Sequence, residues 1–202
     1  EFCFSLDLWD ANTPNLYEIE IKVIEKFTKD SVKNGGYDFV YNPLDCNFCD
    51  DFMKYYDISI KSEKNIIRIA LFGNYHIYDD NCAVFENEML TVLVNDNIAR
   101  IDIINGKLIY FKEFDIFGIA EEIYKTPFGY VIKGEIDIIG LDENFDEAWK
   151  FGSRDIFECA DNKEPFVLCD DRIKLYNFLD DYFELDLNGN LMKEVISEKT
   201  LK

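Results

Sequence analysis

Histidine is nearly absent from this chain: His76, in "FGNYHIYDD", is the one copy in 202 residues. A His-rich zinc site is therefore impossible, and a Ser-His-Asp or Cys-His relay would have to run through that single residue. His76 sits in an aromatic, strand-like setting, where an ordinary half-buried or surface histidine is the simpler reading. Cationic residues are also scarce, with 21 Lys and Arg against 41 Asp and Glu and a formal net charge of −20. Nucleic-acid binding needs Lys and Arg clustered against phosphates, so no nucleic-acid partner is expected, and a basic protein is. No apolar run approaches the ~20 residues that a membrane helix requires. The visible start, "EFCFSLDLWD", has neither a basic n-region nor a continuous apolar h-region. The expectation is a soluble, cytoplasmic protein with no membrane partner.

The motifs of common catalysis are missing as well. There is no phosphate-cradling glycine loop, no Gly-x-Ser-x-Gly elbow and no dinucleotide fingerprint. The Cys46–Cys49 pair, "CNFC", has zinc-ribbon or thioredoxin-like spacing but lacks both a second pair and a βαβ setting. Its neighbours Asp45, Asp50 and Asp51 would raise the thiol pKa rather than lower it. The remaining cysteines, Cys3, Cys82, Cys159 and Cys169, read as reduced and mostly buried, since a chain of this size needs no staples. A zinc site completed by Cys82, or by Cys159 and Cys169, is the competing reading. "DLNGN", Asp186 to Asn190, resembles the start of a calcium loop, but its glycine comes two positions early and no bidentate Glu follows, so a hairpin turn is simpler. No catalytic residue, metal or cofactor is expected.

What the chain does contain is a repeat. Nearly half its residues are apolar (48%), so it is globular. In "VLVNDNIARIDIINGKLIYF", Val92 to Phe111, an apolar run is followed by a polar corner, an alternating run, Asn105-Gly106 and another apolar run. The same order recurs in Gly129 to Phe151 and in Arg172 to Val195, with turns near Asn105, Asn144 and Asn188. A period of about 40 residues is the length of one four-stranded propeller blade. Apolar segments at Cys82–Glu86, Ala120–Thr126 and Phe166–Asp170 supply a first strand for each unit. The predicted fold is mainly β: an incomplete, half β-propeller-like array of about three antiparallel meander blades, an N-terminal β-rich extension and few short helices. Residues 1–80 form the extension, and residues 81–202 the three blades packed as one unit. Within the extension, Leu16–Phe27 alternates in strand period and Asp57–Phe72 forms a hairpin around Ser62–Asn65. "DCNFCDDFMKYYD" is expected as a short helix after an Asp45 cap, and "DSVKNGGYDF" as a loop.

Propellers without catalytic residues work by presenting corners and loops as a rigid binding surface. Here the breaks between strands are acidic, and the expected partner-binding residues are Asp79, Asp80, Asp96, Glu135, Asp170, Asp171, Asp180 and Asp181. Small size, strong acidity, richness in Ile, Asn, Asp, Phe and Lys, and degenerate blades together resemble the immunity proteins of bacterial contact-dependent growth inhibition and polymorphic toxin systems, some of which are β-propeller-like. The resemblance covers mostly residues 82 to 195. It implies an antitoxin that binds the C-terminal domain of a cognate toxin, often a basic nuclease, and occludes its active site. Two other readings stay open: a generic propeller-type scaffold or sensor module, and a small β-fold hydrolase using paired carboxylates.

Overall fold

The computed structural model describes residues 3–8, 17–45, 54–63, 65–73, 81–94, 96–159 and 163–199. His76, Cys46, Cys49, Asp79 and Asp80 lie outside them. Five N-terminal strands form one sheet: β1 (Cys3–Leu8), β2 (Tyr17–Ile24), β3 (Phe39–Tyr41), β4 (Lys54–Lys61) and β5 (Ile66–Gly73), in the order β1-β2-β4-β5-β3. In β2 the period-2 alternation does what it predicts: Tyr17, Ile19 and Ile21 are buried and Glu18 is exposed. The β4–β5 hairpin turns where expected, with the Ser62 amide donating to the Asn65 carbonyl at 2.9 Å.

Two expectations in this region are corrected. The predicted loop "DSVKNGGYDF" begins with a helical turn, α1 (Lys29–Lys33), closed by a reciprocal cap. The Ser31 amide donates to Thr28 Oγ1 at 3.0 Å while the Thr28 amide donates to Ser31 Oγ at 2.8 Å. Of the predicted helix at "DCNFCDDFMKYYD", residues 46–53 lie outside the described residues, and Lys54–Asp57 is strand. Tyr56, Ile58 and Ile60 all point into the core, so strand period already governs there.

The rest of the chain forms three four-stranded antiparallel meanders, each with its strands in chain order. The first is β6 (Ala83–Glu86), β7 (Met89–Val94), β8 (Asn97–Asp102) and β9 (Lys107–Glu113). The second is β10 (Ala120–Thr126), β11 (Gly129–Gly134), β12 (Asp137–Leu141) and β13 (Glu147–Gly152). The third is β14 (Phe166–Leu168), β15 (Arg172–Tyr176), β16 (Tyr182–Asp186) and β17 (Leu191–Val195). The fold class is the expected one: mainly β, blade-like meanders following a β-rich sheet, with one short helix among the described residues. In the second meander β11 and β12 are buried on both faces, the charged Lys133 and Asp137 included.

Two compact units divide the chain, Glu1–Glu113 and Phe114–Lys202. The expected boundary near residue 80 separates the five-stranded sheet from the first meander, yet one core runs through both. Ile19, Ile21, Ile58, Ile69 and Leu71 pack in a single cluster with Leu90, Val92, Ala99 and Ile101. Each fully buried aliphatic side chain of such a cluster contributes about 1.5–3 kcal/mol. In the second unit Val131 and Ile138 pack with Ile173, Leu175, Phe183 and Leu185. The same joint recurs in each unit: a ring from one sheet seats on a turn glycine of the following meander. A Cβ on Gly106 (φ +63) would lie 2.2 Å from Phe39, and one on Gly189 (φ +79) 2.3 Å from Trp149, so only glycine allows either approach.

Candidate protein-interaction surface

The acidic residues sort by their place in the repeat. An aspartate at the end of the third strand, or just after it, builds the next turn in each meander: Asp102, Asp142 and Asp186. Asp102 Oδ1 accepts from the Ile104 amide at 2.9 Å, Asp142 Oδ1 from the Asn144 amide at 2.8 Å, and Asp186 Oδ1 from the Asn188 amide at 2.9 Å. The Asn105 side chain holds the Asp102 carboxyl below the usual carboxylate range, and the Asn190 side chain does the same for Asp186. "DLNGN" is thus a turn whose carboxylate is spent on backbone amides and the Asn190 side chain. Among the described residues no three His, Cys, Asp or Glu side chains are grouped so as to hold a metal ion, and Cys82, Cys159 and Cys169 are thiols rather than disulfide halves.

Five residues earlier in each unit, at the other end of the same strand, stands a buried polar residue: Asn97, Asp137 or Asp181. Asp137 Oδ2 accepts from the Phe117 amide at 2.7 Å and pairs with Lys150 Nζ at 2.9 Å. Lys150 also reaches the Asp115 carbonyl at 3.1 Å, and the bond to Asp137 lifts its ammonium above the ordinary lysine value. Asp181 accepts from Asn177 Nδ2 at 3.1 Å and from the Ser197 amide at 2.8 Å, while Asn177 Nδ2 also donates to Ser153 Oγ at 3.0 Å. Each buried carboxylate fixes the loops around it: 115–117 by Asp137, and the 177–181 corner with the segment after β17 by Asp181.

The eight predicted partner-binding residues therefore do not form one set. Asp79 and Asp80 lie outside the described residues. Asp181 has 0% exposure and holds the fold, so its assignment to a partner is corrected. Asp180 pairs with Lys199 and, at 3.6 Å, with Lys163; the Lys199 contact holds its carboxyl below the usual range. Asp96 is half-buried and accepts from Asn97 Nδ2 at 2.6 Å. Glu135 is half-buried at the β11–β12 corner. Asp170 and Asp171 are exposed, but they sit at the β14–β15 turn, across the full length of β15 from Asp180 and Asp181. Five strand residues separate those ends by roughly 17 Å.

Apolar side chains occupy the same breaks. Phe117, Phe178 and Phe128 are exposed, in the segment before β10, the β15–β16 corner and the β10–β11 turn. The loops carrying Phe117 and Phe178 belong to one hydrogen-bonded end of the second unit, here the corner end. The Glu135 amide donates to the Ile119 carbonyl at 3.0 Å, the Phe157 amide to the Glu135 carbonyl at 2.6 Å, and the Phe178 amide to the Ile156 carbonyl at 2.9 Å.

Just inside that end lies a buried charge cluster. Lys133 on β11 pairs with Glu121 and, at 3.3 Å, with Glu122, which also accepts from Tyr124 Oη. The strand register slips between Ala120 and Glu122, and this bulge brings two successive carboxylates to one lysine. Burial is the largest single influence and opposes the Lys133 charge, but the hydrogen bonds and charges of Glu121 and Glu122 together hold the ammonium above the ordinary lysine value.

Sequence reasoning missed the buried carboxylates, the lysine cluster and the exposed rings. The first had a signal: Asn97 with Asp102, Asp137 with Asp142, and Asp181 with Asp186 share one spacing in all three units. So did the second, since a lysine inside "GYVIKG" opposite "AEE" marks a buried pair.

No protein-family model matches this chain. No curated protein matches it either. Among solved structures, the crystal structure of BamB from Moraxella catarrhalis aligns with a TM-score of 0.43 and 13% identity, covering 86% of this chain and 50% of that one. The chain spans about half the length of that protein.

Proposed function

We propose that the chain is an acidic protein-binding module, of the immunity-protein kind, which binds a basic toxin domain such as a nuclease and blocks it. The observation that carries this reading is a formal charge of −20 on a scaffold of hydrogen-bonded turns and corners. A surface of that sign attracts cationic proteins, speeds their association and imitates the phosphates that a basic nuclease would otherwise hold. Fixed turns such as those at Asp142 and Asp186 present their exposed neighbours with little further loss of conformational freedom on binding. A scaffold or sensor role would use the same surface with a different cellular protein.

The experiment is co-expression with the product of the neighbouring gene. A stable complex, together with protection of cells from that product, is the expected result. If the two proteins co-purify without protection, the module is a scaffold; if they neither associate nor protect, the immunity reading falls.

A further inference from the structure

We propose that the corner end of the second unit is the docking surface for a cationic protein segment carrying apolar side chains, and that Phe117 and Phe178 are its anchors. The proposal rests on the basic-partner reading above and adds which surface takes that partner and by what chemistry.

Both rings stand in water on backbone that is held still. Phe117 is 68% exposed and Phe178 50%. Yet the Phe117 amide is fixed on Asp137 Oδ2 at 2.7 Å, and the Phe178 amide on the Ile156 carbonyl at 2.9 Å. In the Phe117 segment Phe114 is buried, and Phe157, next to the Ile156 carbonyl that holds the Phe178 amide, is buried as well, so each displayed ring has a core aromatic close to its backbone support. Aromatic rings displayed from pre-ordered backbone are what interface hot spots are made of, because the ordering cost is met during folding.

The two loops are also one structure. Residues 119, 135, 156, 157 and 178 are joined by the consecutive backbone bonds described above. Two buried carboxylates, Asp137 and Asp181, brace it from beneath.

Charge selects the occupant. Asp115, whose side chain is 92% exposed and lies 3.4 Å from Lys150 Nζ, stands two residues from Phe117, and Glu135, Asp155 and Glu158 outnumber Arg154 along the connecting strip. In a chain of net charge −20 an anionic segment is repelled from this surface. A segment with aliphatic side chains against the rings and Lys or Arg at the rim fits both features.

The test uses the full chain and three labelled twelve-residue peptides: repeats of Lys-Leu-Gly-Lys, the same peptide with Ser for Leu, and the same with Glu for Lys. Fluorescence anisotropy at low salt is expected to show the Lys-Leu peptide binding at least about tenfold tighter than the Lys-Ser peptide. The Phe117→Ala/Phe178→Ala double variant loses that margin, and Phe128→Ala, at the opposite end, keeps it. Both replaced rings are exposed, so unchanged thermal unfolding verifies the fold. Should the double variant misfold, amide shifts in the unaltered chain decide: peptide-induced changes are expected at residues 115–118, 135, 155–158 and 178. A margin that survives the double variant, a margin lost in Phe128→Ala instead, or shifts centred on residues 128 and 170–171 overturns the surface while leaving a basic partner in place. Equal binding of the Glu-Leu peptide, or no binding of either Lys peptide, overturns the basic-partner reading itself.

Discussion

Asp170-Asp171 and Asp180-Asp181 are the same dipeptide, each in a polar break beside the same strand, and the fold puts them to opposite uses. The first pair is exposed on the β14–β15 turn, where Asp171 accepts from Arg172 Nε at 3.0 Å and Nη2 at 2.8 Å. The second is built inward: Asp181 is buried among Asn177 and the Ser197 amide, and Asp180 is held by lysines. Local composition does not separate a displayed carboxylate from a structural one. Position in the repeat does, because the residue before or at the start of the third strand is buried in every unit.

The largest expected effect lies at the charges beneath the corner end. Replacing Lys133 by Met leaves Glu121 and Glu122 buried without their cation, and urea unfolding is expected to show a loss of about 3–5 kcal/mol. A loss below about 1 kcal/mol would mean that the cluster relaxes into water and does not support this end. Next comes the direct contrast of the two pairs. Asp181→Ala strands the Asn177 amide and the Ser197 N–H and is expected to cost roughly 2–3 kcal/mol, whereas Asp170→Ala stays within about 0.5 kcal/mol of the parent. Equal effects would erase the distinction between the pairs.

That distinction was only partly legible beforehand. Strands β7, β10 and β17 fall where the repeat and its turn signals put them, with Asn87 before β7, Pro127 after β10 and Gly189-Asn190 before β17. Strand β3 was not readable. Its three residues are half-buried or exposed, and it is held by parallel pairing with β5, a long-range contact that leaves no local periodicity. For the site, sequence reading found that the breaks between strands are acidic but took adjacency of acids as the signal. The informative feature was instead an Asp or Asn five residues ahead of the turn aspartate, since a third strand of that length joins the two ends of the sheet.

A smaller effect is expected in acid. The Asn190 side chain holds Asp186, and Lys199 holds Asp180, below the ordinary carboxylate value. A group with a depressed folded pKa stabilises the fold above its unfolded value, about 4, and that contribution is lost as pH falls through the folded pKa. Thermal unfolding is thus expected to be nearly flat from pH 7 to pH 5 and to drop below about pH 4. An Asp186→Asn variant starts lower at neutral pH and falls less steeply. If parent and variant lose stability in parallel, Asp186 does not contribute to the acid transition.

The smallest expected effect lies at the displayed pair, and it is kinetic. Asp170→Lys/Asp171→Lys reverses charge on an exposed turn across the sheet from the corner end, so unfolding should be unchanged. Association with a cationic peptide should slow several-fold at low salt, because exposed charges steer encounter from a distance. At about 0.5 M salt the Debye length is shorter than the roughly 17 Å between the two ends, and parent and variant rates should converge. A dissociation rate that rises with the substitution would instead place Asp170 and Asp171 inside the bound interface. The partner would then be held at the turn end, and the corner end would keep only its structural role.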